Sequence, residues 1–286
     1  AAKAPNADLS AGVQTVVFTV KDLGAMTLKV DAQDIKVWEK SWRDAISSCI
    51  EKQQKIKFLY MIPDFQNPSG ETLCLEERKL LVSLAEEYDF LIVEDSPYRE
   101  LRYEGQSVPT IYSLCPERTL HLGSFSKILA PGFRLGWILG KEELLDKIYV
   151  CKQSLDLCPP IMDQYIAAEL LESGLLDENL RKSIQLYKAK RDHLLSLLEK
   201  YMPAGARWTH PEGGLFLYLT MPEGFDAVAF YDKALDAEVA YVAGNFFCPD
   251  SSGRNTMRMN FSFLDTERME DGVKILSRLL AEEIGA

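Results

Sequence analysis

Two short apolar runs with a helical pattern between them constrain this chain more than any other feature. KIKFLYMI, from Lys55 to Ile62, and FLIVED, from Phe90 to Asp95, are too short for buried helices and rich in aromatic and β-branched residues, as strands buried on both faces are. Between them Leu80, Leu81, Leu84, Ala85 and Tyr88 recur at helical spacing, with Glu76 and Glu77 near the positive end of the helix dipole. Strand, helix, strand in that order predicts a parallel βαβ unit.

Further strands are predicted from Thr119 to Gly123 and from Arg134 to Leu139, followed by helical patterns from Lys141 to about Lys200. After Pro203 the rhythm changes. Strand-like segments at Leu215 to Leu219, Val239 to Val242 and Thr256 to Phe263 are interrupted by one helical stretch near Ala227 to Leu235. A last amphipathic helix starts at Asp265 or Thr266, either able to cap it, and buries Met269, Val273, Leu276 and Leu280. The expected fold class is α/β, with a large, mostly parallel-sheet domain over residues 1–165 and a smaller α+β domain over 166–286.

Composition narrows the function. A chain of 286 residues, 47% of them hydrophobic, can bury a sizeable core. Its net charge of −11, without a run of Lys or Arg, argues against a nucleic-acid surface. Cys49, Cys74, Cys115, Cys151, Cys158 and Cys248 form no CxxC pair and no His-rich spacing, so neither a metal site nor a disulfide framework is indicated. No apolar stretch approaches the roughly 20 residues needed to cross a bilayer. With no signal pattern at the start of the chain, the cytoplasm is the expected compartment.

In open parallel sheets, ligands gather beyond the carboxyl ends of the strands. Three polar segments come directly after predicted strands: PDFQNPSG at 63–70, EDSPY at 94–98, and GSFSK at 123–127, which leads on to Arg134. Singly, each has an ordinary structural reading. Asn67-Pro68-Ser69-Gly70 makes a turn, Asp95 caps one, Ser124, Ser126 and Lys127 form a polar loop, and Arg134 is a surface charge. Together, an acid, a phenol, a lysine and an arginine at one sheet edge are what a phosphorylated pyridine aldehyde requires.

The segments FLYMIPDFQNPSG, IVEDSPYRELRYEG, GSFSKILAPGFRLGW and MRMNFSF resemble, in order and separation, those of the fold-type I pyridoxal-phosphate-dependent aminotransferases, in the aminoadipate, kynurenine and aromatic branch. The resemblance runs from about Leu23 to the C-terminus, and the stretch from Ser124 to Arg134 is its most specific part. It implies that Lys127 carries pyridoxal phosphate as a Schiff base and later moves a proton as general base and acid. It also implies that Asp95 pairs with the pyridine nitrogen, that Tyr98 and Asn67 hydrogen-bond the ring hydroxyl, and that Ser124, Ser126 and Arg134 hold the phosphate. Arg258, helped by Asn67, would grip the substrate carboxylate, for which a guanidinium fork suits bidentate contact.

The activity so implied is transfer of an amino group between an amino acid and a 2-oxo acid, in a homodimer. Two other readings stay open: a lyase or decarboxylase on the same fold, and the effector domain of a transcription regulator of the GntR/MocR type built on it. The resemblance also implies departures from the pattern. The stretch from Ala1 to Ala25 is similar to the family segment that comes after the glycine-rich phosphate loop, so the chain is expected to lack the family's N-terminal segment. Ala243 stands where the family usually has Pro. Cys74, where the helix start usually has Ser or Thr, is expected to loosen that start.

Overall fold

The computed structural model describes residues 14–19, 25–29, 35–248 and 252–285, the first two stretches as strand backbone. The segment from Ala1 to Ala25, expected to succeed a phosphate loop, lies mostly outside them. β1 (Gln14–Thr19) and β2 (Ala25–Lys29) pair antiparallel and lead to helix α1 (Ile35–Glu51). The predicted βαβ unit comes next as β3 (Ile56–Met61), α2 (Leu75–Glu87) and β4 (Leu91–Asp95), with β3 and β4 parallel. At the start of α2 the Glu77 carboxylate accepts from the Cys74 backbone N–H at 2.7 Å, so the glutamate half of the capping box forms around the cysteine.

The short helix α3 (Ile111–Leu114) connects β4 to β5 (Thr119–Ser124), which runs parallel to β4. β6 (Gly136–Leu139) returns without a crossover helix and is therefore antiparallel to β5. The sheet order is β2-β1-β3-β4-β5-β6, so three parallel strands occupy the centre and antiparallel strands flank them. Successive residues of a strand point to opposite faces. One face presents Leu59, Met61 and Ile92 to Trp38, Trp42, Ile46 and Cys49 of α1, to Leu81, Leu84 and Ala85 of α2, and to Ile111. By the same alternation and register, Tyr60, Val93, Asp95 and Leu122 share the other face.

Helix α1 has no counterpart among the predicted elements, although its buried residues fall on one stripe. The long helical pattern resolves into α4 (Glu142–Leu155), α5 (Ile161–Glu172) and α6 (Leu175–Tyr201). Pro159 and Pro160 separate the first two, and Gly174, at φ 73°, turns the chain between the second pair. A second, antiparallel sheet is built from β7 (Arg207–Trp208), β8 (Phe216–Thr220), β9 (Val242–Ala243) and β10 (Thr256–Asn260), in the order β7-β8-β10-β9.

Helix α7 (Tyr231–Asp236) is shorter than the predicted stretch, and β9 starts later than the strand predicted from Val239. The reason is local: the Val239 N–H donates to the Ala234 carbonyl at 3.0 Å, finishing the helix, and so is not free to join a ladder. Helix α8 (Thr266–Ile284) is capped by Asp265, whose Oδ1 accepts from the Arg268 N–H at 2.9 Å. Its Met269 and Val273 pack with Leu194, Leu197 and Leu198 of α6 against Leu217 and Phe261. Among the described residues no helix is long and apolar enough to cross a membrane.

Candidate active site

β3, β4 and β5 run in the same direction and end near one edge, with Met61 opposite Glu94 and Asp95 opposite Leu122. The loop carrying Asn67, the turn carrying Tyr98 and the segment from Ser124 to Lys127 all leave from that edge. Arg134 returns to it because β6 is reversed: Ser124 pairs with Gly136, and the Phe125 N–H donates to the Leu135 carbonyl at 3.1 Å. Arg134 itself sits in the left-handed region at φ 54°, with its guanidinium donating to the Pro131 carbonyl at 3.3 Å.

The Asn67 loop is fastened from several sides. The Gly70 N–H donates to Gln66 O at 2.6 Å, the Leu73 N–H to Pro63 O at 2.9 Å, and the Ser69 hydroxyl to Gln66 Oε1 at 3.1 Å. The Asn67–Pro68 peptide is cis. Gly70, at φ 75°, lies so close to β8 that a Cβ there would stand 2.5 Å from the Phe216 carbonyl oxygen. The loop thereby touches the second sheet.

A side-chain hydrogen bond joins the same loop to the second sheet. Arg258, on β10, donates from a terminal guanidinium nitrogen to Asn67 Oδ1 at 2.8 Å. Its guanidinium carbon lies 4.3 Å from the Phe216 ring centre and 5.1 Å from that of Phe247, and its Nε is buried without a hydrogen-bond partner. Burial pushes its pKa down, as expected for a cation removed from water. Tyr98 is buried and meets Phe216 edge-on at 5.7 Å. Its hydroxyl is pushed up to about 12, first by burial and then by the Asp95 charge, against the pull of Arg258.

Asp95 ends β4. The Tyr60 hydroxyl donates to its Oδ2 at 2.5 Å, while Oδ1 has no hydrogen-bond partner among the described residues. Burial raises the Asp95 pKa; the Tyr60 hydrogen bond and the charge of His121 oppose that rise. Ser124 accepts from the Ser126 N–H at 3.1 Å, forming a small hydroxyl turn. Lys127 is exposed, and its amine has no partner among the described residues.

Of the predicted groups, then, the structure joins Asn67 to Arg258 and sets Tyr98 and Asp95 beside them. It makes no hydrogen bond or ion pair from Lys127 or Arg134 to these four among the described residues. Tyr60, Phe216 and Phe247 are absent from the sequence-based set. A signal existed for Tyr60 alone, as the one hydroxyl in an apolar run; the two phenylalanines read as core.

A mostly parallel sheet whose strand ends present an acid, a phenol and an amine, with an arginine from a second, antiparallel sheet brought to them, defines an α/β protein. The chain belongs to the class I and II aminotransferase family, whose model matches residues 16–276. It is 46% identical over 237 residues to aromatic-amino-acid aminotransferase 1 of Thermococcus litoralis, covering 82% of this chain and 57% of that protein. The crystal structure of Pyrococcus horikoshii kynurenine aminotransferase in complex with PMP superposes with a TM-score of 0.84 at 39% identity, over 91% of this chain and 63% of that one. The uncharacterised HTH-type transcriptional regulator YisV of Bacillus subtilis is 30% identical over 259 residues, 90% of this chain and 52% of the regulator. The chain thus spans about three fifths of the length of the aminotransferases it matches.

Proposed function

We propose that this chain carries the greater part of an aminotransferase that moves an amino group between an amino acid and a 2-oxo acid with pyridoxal phosphate. The observation that carries the proposal is the Arg258–Asn67 contact at 2.8 Å: it brings a guanidinium, a group suited to bidentate carboxylate contact, from one sheet to a loop at the strand ends of the other. The donor set suits the cofactor. Asp95 has an oxygen free to accept a hydrogen bond from a pyridinium N–H, and Arg258 has a buried donor without a partner. When bound, pyridoxal phosphate supplies an electron sink for a carbanion at Cα.

The chain's own residues would do the rest. Asp95 holds the proton on the ring nitrogen, and Tyr98 and Asn67 hydrogen-bond the ring hydroxyl. Ser124, Ser126 and Arg134 hold the phosphate, and Arg258 with Asn67 binds the α-carboxylate. The Lys127 amine, exposed and unpaired among the described residues, carries the cofactor and moves the proton at Cα. In this scheme residues 1–165 hold the cofactor, residues 166–286 deliver Arg258, and the protein works as a cytoplasmic homodimer.

The similarity to YisV favours a second reading, in which the same segment senses an amino acid for a transcription regulator. One experiment separates the two. In the cofactor-loaded protein, an amino donor should bleach the visible absorption and a 2-oxo acid should restore it. Bleaching without restoration rejects the aminotransferase in favour of a lyase, and no bleaching by any amino acid leaves the sensor.

A further inference from the structure

We propose that Tyr60 is a positioning residue for Asp95: its hydroxyl pins Oδ2, so that the carboxylate presents Oδ1 to the nitrogen of a bound ring. The proposal rests on the ring-nitrogen role of Asp95 and adds a residue from a different strand to it.

The geometry arises from the register. Tyr60 on β3 is paired with Val93 on β4, so it shares a face with Val93 and with Asp95, two residues further along. Two residues of parallel strand span about 6.6 Å, a distance that a tyrosine side chain leaning along the strand can bridge. Serine or threonine would fall short, and phenylalanine would bring nothing to donate. The observed hydrogen bond, 2.5 Å to Oδ2, uses one carboxylate oxygen and leaves the other.

The groups that act on Asp95 come from each neighbouring element. Tyr60 donates from β3, Tyr98 lies in the turn after β4, and His121 on β5 acts through its charge. Arg258, from the second sheet, acts on Tyr98. Burial favours the protonated carboxyl, and the Tyr60 hydroxyl is one of two influences that favour the carboxylate. The hydroxyl itself stays protonated, because burial first, and then the Asp95 charge, raise its pKa far above that of free tyrosine. It is therefore a donor at every working pH.

Removing the hydroxyl should release Asp95 in two respects. Its carboxyl should hold a proton more tightly, by about tenfold to a hundredfold, the scale of one charge-assisted hydrogen bond. Its rotamer should also loosen, so that the ring nitrogen loses a fixed partner. A tyrosine that packed there without donating to Asp95 would do neither.

The test begins on cofactor-free protein, with the side-chain carboxyl of Asp95 titrated by isotope-edited infrared spectroscopy. Tyr60→Phe should move the midpoint up by about one to two pH units, the same tenfold to hundredfold change on a logarithmic scale. Site-specific 3-fluorotyrosine at position 60, a stronger donor of the same shape, should move it down. Opposite shifts support the positioning role; an unmoved midpoint, or shifts in the same direction, overturns it. If Tyr60→Phe does not fold, the fluorinated protein decides alone, because it keeps the native shape. Adding pyridoxal phosphate then separates this proposal from the one beneath it. If Asp95→Asn leaves the bound cofactor's absorption unchanged across pH, the role of Asp95 fails, whatever the Tyr60 titrations show.

Discussion

Replacing Arg78 by Met should destabilise the protein by about 3 kcal/mol, as breaking a buried ion pair from one side does. The figure can be reasoned from the partners. The Arg78 guanidinium is fully buried and donates to both oxygens of Asp64, at 2.8 and 3.3 Å, and to the carbonyls of Pro63, Leu73 and Pro109, at 3.2, 3.1 and 3.1 Å. Methionine fills much of the volume but takes a donor from the Leu73 and Pro109 carbonyls, while Pro63 O keeps the Leu73 N–H. Asp64 does not lose all compensation, because Arg99 still donates to it at 2.9 Å, which sets the cost near the lower end of the usual 3–5 kcal/mol. Asp64→Ala should cost more, about 4–5 kcal/mol, since it removes the nearest counter-charge of Arg78 among the described residues and leaves Glu94 at 3.9 Å. The double variant Arg78→Met/Asp64→Ala should cost less than the sum by at least about 1 kcal/mol, because it removes both charges of the pair. Urea unfolding of the four proteins, with a check that the slopes agree, measures all three quantities. An Arg78→Met cost below about 1 kcal/mol, or strict additivity, would refute the reasoning. The pair also matters to the site, because Asp64 stands in the same loop as Asn67.

Two further predictions concern the chemistry. Arg258→Lys keeps the charge but loses the fork, so amino acids of different side chain should weaken together, by about 1.5–3 kcal/mol or ten- to a hundredfold, while amines without a carboxylate change little; a half-reaction series in which one amino acid alone suffers would mean that Arg258 reads a side chain. Borohydride reduction of the pyridoxal-phosphate-loaded protein, followed by peptide mapping, should find the label on Lys127; a label on Lys141 or Lys152 with Lys127 unmodified rejects the assignment.

What could be read from the sequence was whatever depends on near neighbours. KIKFLYMI contains β3, FLIVED contains β4, and Asp265 caps α8 where a capping residue was expected, because each depends on a run or a spacing within a few residues. Helix α1 went unassigned because four buried residues, Trp38, Trp42, Ile46 and Cys49, are diluted among charged and polar ones. The break between α5 and α6 needs one glycine at positive φ, and a glycine in a helical pattern is compatible with either outcome. Contacts between strands were out of reach for a different reason. The Tyr60–Asp95 hydrogen bond depends on the register of β3 against β4, and the Arg258–Asn67 bond spans 191 positions between two sheets. Neither leaves a local trace, so the sequence pointed to loops without showing which side chains meet.

Glu94 and Asp95 show how finely one strand separates structure from chemistry. The two acids are consecutive and look interchangeable in FLIVED, yet alternation sends them to opposite faces of the sheet. Glu94 turns to the helix-covered face, where its carboxylate accepts from the N–H groups of Ile111 and Tyr112, each at 2.9 Å, and lies 2.8 Å from His121 Nδ1. It holds the start of α3 against β5 and has no exposed surface left for a ligand. Asp95 turns to the other face, where Tyr60 occupies one oxygen and the second stays open among the described residues. A carboxylate that accepts several fixed hydrogen bonds is a structural anchor, whereas one with a single donor keeps an oxygen able to accept another. A slip of β4 by one residue would exchange the two environments, so the register that buries Ile92 under α2 also keeps Asp95 on the face of Tyr60.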